Sequence, residues 1–142
     1  MSHDANADLQ QIYQRVCRHA SQTALLESIE AVLGWDERTM LPPAGAEYRA
    51  EQMTLLSGMI HQRWTDRAFG EALAELAESR LVAPAESATA SNDAASNDAA
   101  ATIRRLKRRC DKKIKLPQSL VEELTRTTVL GQPVTFTPPE SL

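Results

Sequence analysis

The chain has 142 residues, 42% hydrophobic and 25% charged, with a net charge of −3, the balance of one globular domain or a piece of a larger one. Aromatic residues make up only 4% and glycines number 5, and with Ala, Leu, Glu, Gln and Arg abundant this favours an all-α protein over a sheet-based core. No apolar run approaches the roughly 20 residues that span a bilayer; the polar, acidic start from Met1 to Asp8 has neither part of a secretory leader; and Cys17 and Cys110 stand far apart without C-x-x-C spacing, so a soluble, cytoplasmic protein with reduced thiols is expected.

Leu9, Ile12, Tyr13, Val16, Cys17 and Ala20 fall on one face at helical spacing and predict a first helix. After Ser21-Gln22-Thr23 the stripe resumes as Leu25, Leu26, Ile29, Val32 and Leu33, either as the same helix bent or as a new one capped by Ser21 or Thr23. Gly34 follows the last periodic position and Pro42-Pro43 bars a helix, so Trp35 to Gly45 is expected to be a connection of fixed shape. A third helix opens near Ala46 with Glu47 in its first turn and buries Met53, Leu56, Met59 and Ile60. Thr65 or Asp66 caps a fourth, with Phe69, Leu73, Leu76 and Ala77 inside.

From Leu81 to Ala101 the periodicity stops, and Ser91-Asn92-Asp93-Ala94-Ala95 repeats at once as Ser96-Asn97-Asp98-Ala99-Ala100. Such a stretch buries too little apolar surface to offset its conformational entropy, which predicts a flexible linker whose last alanines join the next helix. Ile103, Leu106, Cys110 and Ile114 then line one face of a basic helix, and Pro117 opens a last helix burying Leu120, Val121 and Leu124. The organisation expected is about five or six helices: 1–82 as helical hairpins, 83–101 as linker, 102–130 as the basic helix and its successor, and 131–142 as an extended, proline-rich tail.

Leu33-Gly34-Trp35-Asp36-Glu37-Arg38-Thr39-Met40-Leu41-Pro42-Pro43, followed by Arg49 and Gln52, resembles the W-D-x-x-T-x-M-P…R-x-x-Q signature of the carboxypeptidase Taq family. Leu56-Ser57 with His61 meets the family's L-S-x-x-x-H step. Arg104, Asp111 and Leu116-Pro117 through Leu120-Val121-Glu122-Glu123 resemble its R-x-x-x-R-x-x-D…L-P-x-x-L-V-E-E stretch. The resemblance covers roughly Leu9 to Thr128 and implies the N-terminal part of a larger all-helical zinc metallocarboxypeptidase, which removes single residues from peptide C-termini with broad side-chain tolerance. Trp35, Asp36, Thr39, Met40, Pro42, Arg49 and Gln52 are expected to form a structural corner: a tryptophan at a helix end, an Asp able to accept backbone donors and two prolines fix a chain reversal, and Arg49 and Gln52 reach back to Asp36 or to carbonyls.

The family holds zinc with an H-E-x-x-H helix and a downstream glutamate, the motif Glu activating the metal-bound water. The histidines here are His3, His19 and His61, none followed by Glu or by a second His four residues on. No catalytic or metal-binding residue is therefore carried over, zinc is implied for the full-length family only, and the chain is expected to be inactive alone. Two rivals stand beside this reading. One is a non-enzymatic helical module that self-associates or pairs with a family member. The other is nucleic-acid binding through Arg104 to Lys115, where eight Lys or Arg face Asp111 alone, giving that stretch +7 and the remainder −10. The acidic remainder and the want of aromatic residues beside those charges weigh against nucleic acid, and no membrane partner is expected.

Overall fold

The computed structural model describes residues 2–79 and 94–131. Among them lie five α-helices, α1 (Ser2–Thr39), α2 (Ala46–Trp64), α3 (Arg67–Glu78), α4 (Ala94–Ile114) and α5 (Gln118–Leu130), with one 3-10 turn at Pro43–Gly45 and no strand. The protein is all-α. It falls into two compact units, the first from Met1–Thr23 and Arg63–Lys115, the second from Ala24–Gln62 and Leu116–Leu142.

α1 is one continuous helix because nothing in Ser21-Gln22-Thr23 breaks the ladder: the Thr23 hydroxyl donates to the His19 carbonyl one turn back at 2.9 Å. Contrary to the expectation from sequence, Gly34 does not end it. A glycine terminates a helix by turning left-handed, and among the described residues only Gly131 has positive φ. Trp35 to Thr39 therefore form a last helical turn rather than part of a connection. The stop is set by the prolines: Met40 and Leu41 both donate to the Asp36 carbonyl, at 2.9 and 3.1 Å, and Pro42 and Pro43 have no N–H with which to extend the series.

In the first unit, α3 is capped by Asp66, whose carboxylate accepts from the Phe69 N–H at 2.7 Å. Its buried face is Phe69, Ala72, Leu73 and Leu76. This face packs on α4, and Val16, Trp64, Ala100, Ile103 and Cys110 are buried in the same unit. The linker expected over 83–101 is helical from Ala94 onward, since its alanines carry the highest helix propensity of any residue; 83–93 and the expected tail beyond Gly131 lie outside the described residues.

In the second unit, α2 buries Ala50, Met53, Ser57, Ile60 and His61. Gly58 lets α5 come close, since a Cβ there would stand 2.5 Å from a Glu122 carboxylate oxygen. That carboxylate accepts from Gln118 at 2.6 Å, and Gln118 in turn accepts from Gln62 at 3.2 Å. Gly131 closes α5 in the left-handed conformation at φ 64°, donating to the Thr127 and Thr128 carbonyls. Several residues expected inside are outside: Leu25, Ile29, Val32, Met59 and Leu124 here, and Ile114 in the first unit, are exposed. A helical stripe tells which residues share a face; it does not tell which of two apolar faces is covered.

Candidate functional site

The corner between α1 and α2 is held by Arg49. Its guanidinium pairs with Asp36 at 2.6 Å, donates to the Leu33 carbonyl at 2.8 Å and donates to the Gln52 side-chain oxygen at 3.0 Å. Three fixed donors are thus aimed in three directions, which only a planar guanidinium provides. The Thr39 hydroxyl donates to the Trp35 carbonyl at 2.8 Å, Arg38 donates to the Gly34 carbonyl at 2.9 Å, and the Pro42 carbonyl accepts from Gly45 at 2.8 Å to form the 3-10 turn. The polar members of the signature are occupied with one another and with the backbone. Its apolar members are not covered: Trp35 is 61% and Met40 74% exposed, so the tryptophan expected to pack at a helix end faces outward.

A second polar knot lies in the first unit, at the end of α2. His19 Nε2 lies 2.8 Å from the Arg63 carbonyl, and since a carbonyl only accepts, Nε2 carries the proton. Arg63 answers by donating to the His19 carbonyl at 3.2 Å, to Thr23 at 3.0 Å and to Gln22 at 3.0 Å. The His19 ring stacks on Phe69 at 4.4 Å, Phe69 meets Trp64 edge-on at 5.9 Å, and Arg109 lies over the Trp64 ring at 4.6 Å. Arg63 and Trp64 are absent from the sequence reading. Extending the α2 period of Met53, Ser57 and Ile60 by one turn reaches Trp64; nothing local points Arg63 at a histidine 44 residues away.

Among the described residues neither unit brings a nucleophile, a base and an orienting group together. The cavity beside His19, lined among others by Arg15, Asp66 and Phe69, has a volume of about 120 Å³, too small for the roughly 300–1,000 Å³ of a ligand site. A cleft of about 570 Å³ in the second unit, lined by Gly34, Glu37, Arg38, Met53, Leu124, Thr125 and Thr128 among others, is large enough, but its two threonine hydroxyls are spent on their own helix, Thr125 donating to the Val121 carbonyl at 2.9 Å and Thr128 to the Leu124 carbonyl at 2.6 Å. Among the described residues no three His, Cys, Asp or Glu side chains converge to hold a metal. A catalytic zinc takes three protein ligands at about 2.0–2.2 Å, His19 Nε2 is engaged by the Arg63 carbonyl, and His61 is buried in the other unit. These donors do not fit a zinc centre. Nor is the Cys110 thiol activated: it is buried and donates to the Trp64 carbonyl at 3.2 Å, and burial pushes its pKa above the usual thiol range, with Asp111 adding to the shift and Lys107 opposing it. Burial likewise raises the Tyr13 hydroxyl, helped by the neighbouring Cys17 and by Asp98, against Thr102.

The family comparison speaks where the side chains do not. Residues 15–133 match the family described as carboxypeptidase Taq (M32) metallopeptidase. The chain belongs to this family. It is similar to thermostable carboxypeptidase 1 of Thermus thermophilus, 44% identical over 70 residues, a match covering 49% of this chain and 14% of the relative. The chain thus spans a small part of the length of that carboxypeptidase. No solved structure matches. A metallopeptidase family relies on a metal, and the corner of Trp35, Asp36, Thr39 and Arg49 lies inside the matched segment, as does the basic face of α4. Along that face Arg104, Arg105, Arg108 and Lys112 are exposed, Lys107 pairs with Asp111 at 3.2 Å, and no helix among the described residues is long and apolar enough to cross a membrane.

Proposed function

We propose that the chain supplies the N-terminal helices of a zinc-dependent metallocarboxypeptidase that releases C-terminal amino acids from peptides with broad specificity, and that these 142 residues alone neither hold zinc tightly nor hydrolyse peptides. The observation that carries the reading is the family match over residues 15–133, supported by 44% identity to a carboxypeptidase. In the family's enzymes the substrate is a peptide C-terminus, and the part of these helices is architectural: the Arg49–Asp36 staple fixes the angle at which α1 passes into α2. The inventory of donors supports the second half of the proposal, since His3, His19 and His61 carry no H-E-x-x-H spacing and catalytic zinc needs three convergent ligands and a nearby base.

A polyanion-binding reading of α4 has the charge but not the stacking surface. The indole near those cations, Trp64, lies beneath Arg109 and is only 2% exposed, so it has no face to offer a base.

The test is direct. The purified chain, loaded with one equivalent of zinc or cobalt, is assayed for release of the C-terminal amino acid from a blocked dipeptide, with the Thermus carboxypeptidase as positive control. No release above background is expected. Chelator-sensitive turnover by the chain would overturn the inactivity, and would mean that its ligands are drawn from residues no spacing rule selects.

A further inference from the structure

α4 carries its exposed cations on one side. At about 100° per residue, Arg104, Arg105, Arg108, Arg109 and Lys112 fall in one arc of roughly 140°, opposite the buried Ile103 and Cys110. No acid interrupts the arc: Asp111 stands at its edge and is paired with Lys107 at 3.2 Å. Arg109 is seated over the Trp64 ring, while Arg104, Arg105, Arg108 and Lys112 pair with no carboxylate among the described residues. Arg104, Arg108 and Lys112 follow one another at i, i+4 and i+8, and Arg105 and Arg109 at i and i+4. Like charges one turn apart oppose a helix, so α4 bears a repulsion that an anion brought to this face relieves.

The surroundings of the arc indicate which anion. A small anion meets one or two of these groups, whereas the row from Arg104 to Lys112 runs about 12 Å along the helix axis. A nucleic acid extends well past such a row, and the adjoining α3 exposes three carboxylates, Glu71, Glu75 and Glu78, that repel its phosphates; the face also lacks an open ring on which a base stacks. An acidic helix matches in length and in repeat. Carboxylates at i, i+4 and i+8 form a ridge with the same rise of about 6 Å per step, and two helices crossing at about −50° lay such ridges parallel. Arg104 and Arg108 then each meet a carboxylate that a guanidinium grips with two N–H groups, and Lys112 meets a third. We infer that the basic face of α4 is a docking surface for an acidic helix of a separate polypeptide, carrying one carboxylate per turn along one ridge. The inference stands apart from the carboxypeptidase reading: zinc and turnover test one, binding of an acidic helix the other.

The probe is a fluorescein-labelled, alanine-based helical peptide with Glu at i, i+4 and i+8, set against an isomer of the same composition whose Glu residues are spread around the helix. Fluorescence anisotropy with the full chain is expected to show binding of the first peptide at about 50 mM salt, weakened about tenfold at about 300 mM, and binding of the isomer about tenfold weaker than that of the first. The double variant Arg104→Gln, Arg108→Gln, changed at exposed positions only, is expected to bind about tenfold more weakly with its helical circular dichroism intact. Arg67→Gln, which removes a 91% exposed arginine of α3, is expected to bind as the native chain does. Absence of binding would overturn the inference, as would equal affinity for the two peptides or an equal loss in the Arg67→Gln variant. So would a short duplex RNA that displaces the labelled peptide at lower concentration than the unlabelled peptide does, which would make this a face for phosphates.

Discussion

The two units spend their apolar residues differently. In the first, Trp64, Phe69, Leu73, Leu76 and Ile103 are all at most 4% exposed, and Ile114 is its one large hydrophobic left open among the described residues. In the second, ten large hydrophobics among the described residues, from Leu25 to Leu124, are exposed by 39% or more, and its buried positions include Ala50, Ser57 and Thr127, which are small or polar. Apolar burial stabilises by about 25 cal/mol per Å², so the first unit realises most of what its sequence offers and the second leaves much of it unused. The lesson is that the same amphipathic spacing serves two purposes: one stripe closes a core, and a second stripe on the same helix awaits a cover.

The largest expected effect pits the two tryptophans against each other. Trp64→Ala should destabilise the chain by about 3–5 kcal/mol, the usual cost of truncating a buried aromatic, because it also removes the ring beneath Arg109 and beside Phe69. Trp35→Ala should stay within about 0.5 kcal/mol, as an exposed substitution does. Urea unfolding of both variants measures the difference, and equal losses would erase the contrast between the units.

That contrast marks where sequence reasoning stops. Asp66 as the α3 cap and the α3 face of Phe69, Leu73 and Leu76 were legible because a single stripe and a single capping residue leave one arrangement. The Arg49–Asp36 pair was within reach for a similar reason, since the prolines force a reversal and bring the start of α2 to the end of α1. Exposure of Trp35, Val32 and Met59 was not legible: α1 and α2 are apolar on both faces, and which face is covered depends on polypeptide packed against them. The Arg63 knot was hidden because its partners, His19 and Thr23, are 40 or more residues away. The continuation of α1 past Gly34 was missed because a glycine stops a helix only if it turns left-handed.

A smaller effect is expected from the two arginine staples, one in each unit. Arg49→Met removes the Asp36 pair and the bond to the Leu33 carbonyl while keeping the aliphatic stem, and should cost about 1–2 kcal/mol, the range for a charge-assisted bond that is partly shielded. Arg63→Met loses bonds to His19, Thr23 and Gln22 and should cost a similar amount. The comparison sharpens if local probes are used: Arg49→Met should alter the emission of Trp35, whose carbonyl and neighbours form the corner, and Arg63→Met that of Trp64, which adjoins it in sequence. A reversed pattern would show that the knots do not act locally.

The smallest effect is an alkaline weakening of the first unit. Cys110 and Tyr13, both in that unit, have pKa values raised in the fold, chiefly by burial. A raised value means that the folded state holds the proton more tightly than the unfolded chain does, so the stabilisation is fully present below the unfolded value and is lost as pH rises through the folded one. The unfolded values are about 8.5 for the thiol and about 10 for the phenol. Stability should therefore be flat near neutrality and decline above the thiol range, with Cys110→Ala removing the earlier part of the decline and Tyr13→Phe the later part. In a Trp35→Phe background, where Trp64 is the remaining indole, urea midpoints taken at steps from about pH 7 to about pH 10.5 follow the first unit directly. Profiles that the two substitutions leave unchanged would show that neither buried group governs the alkaline limit.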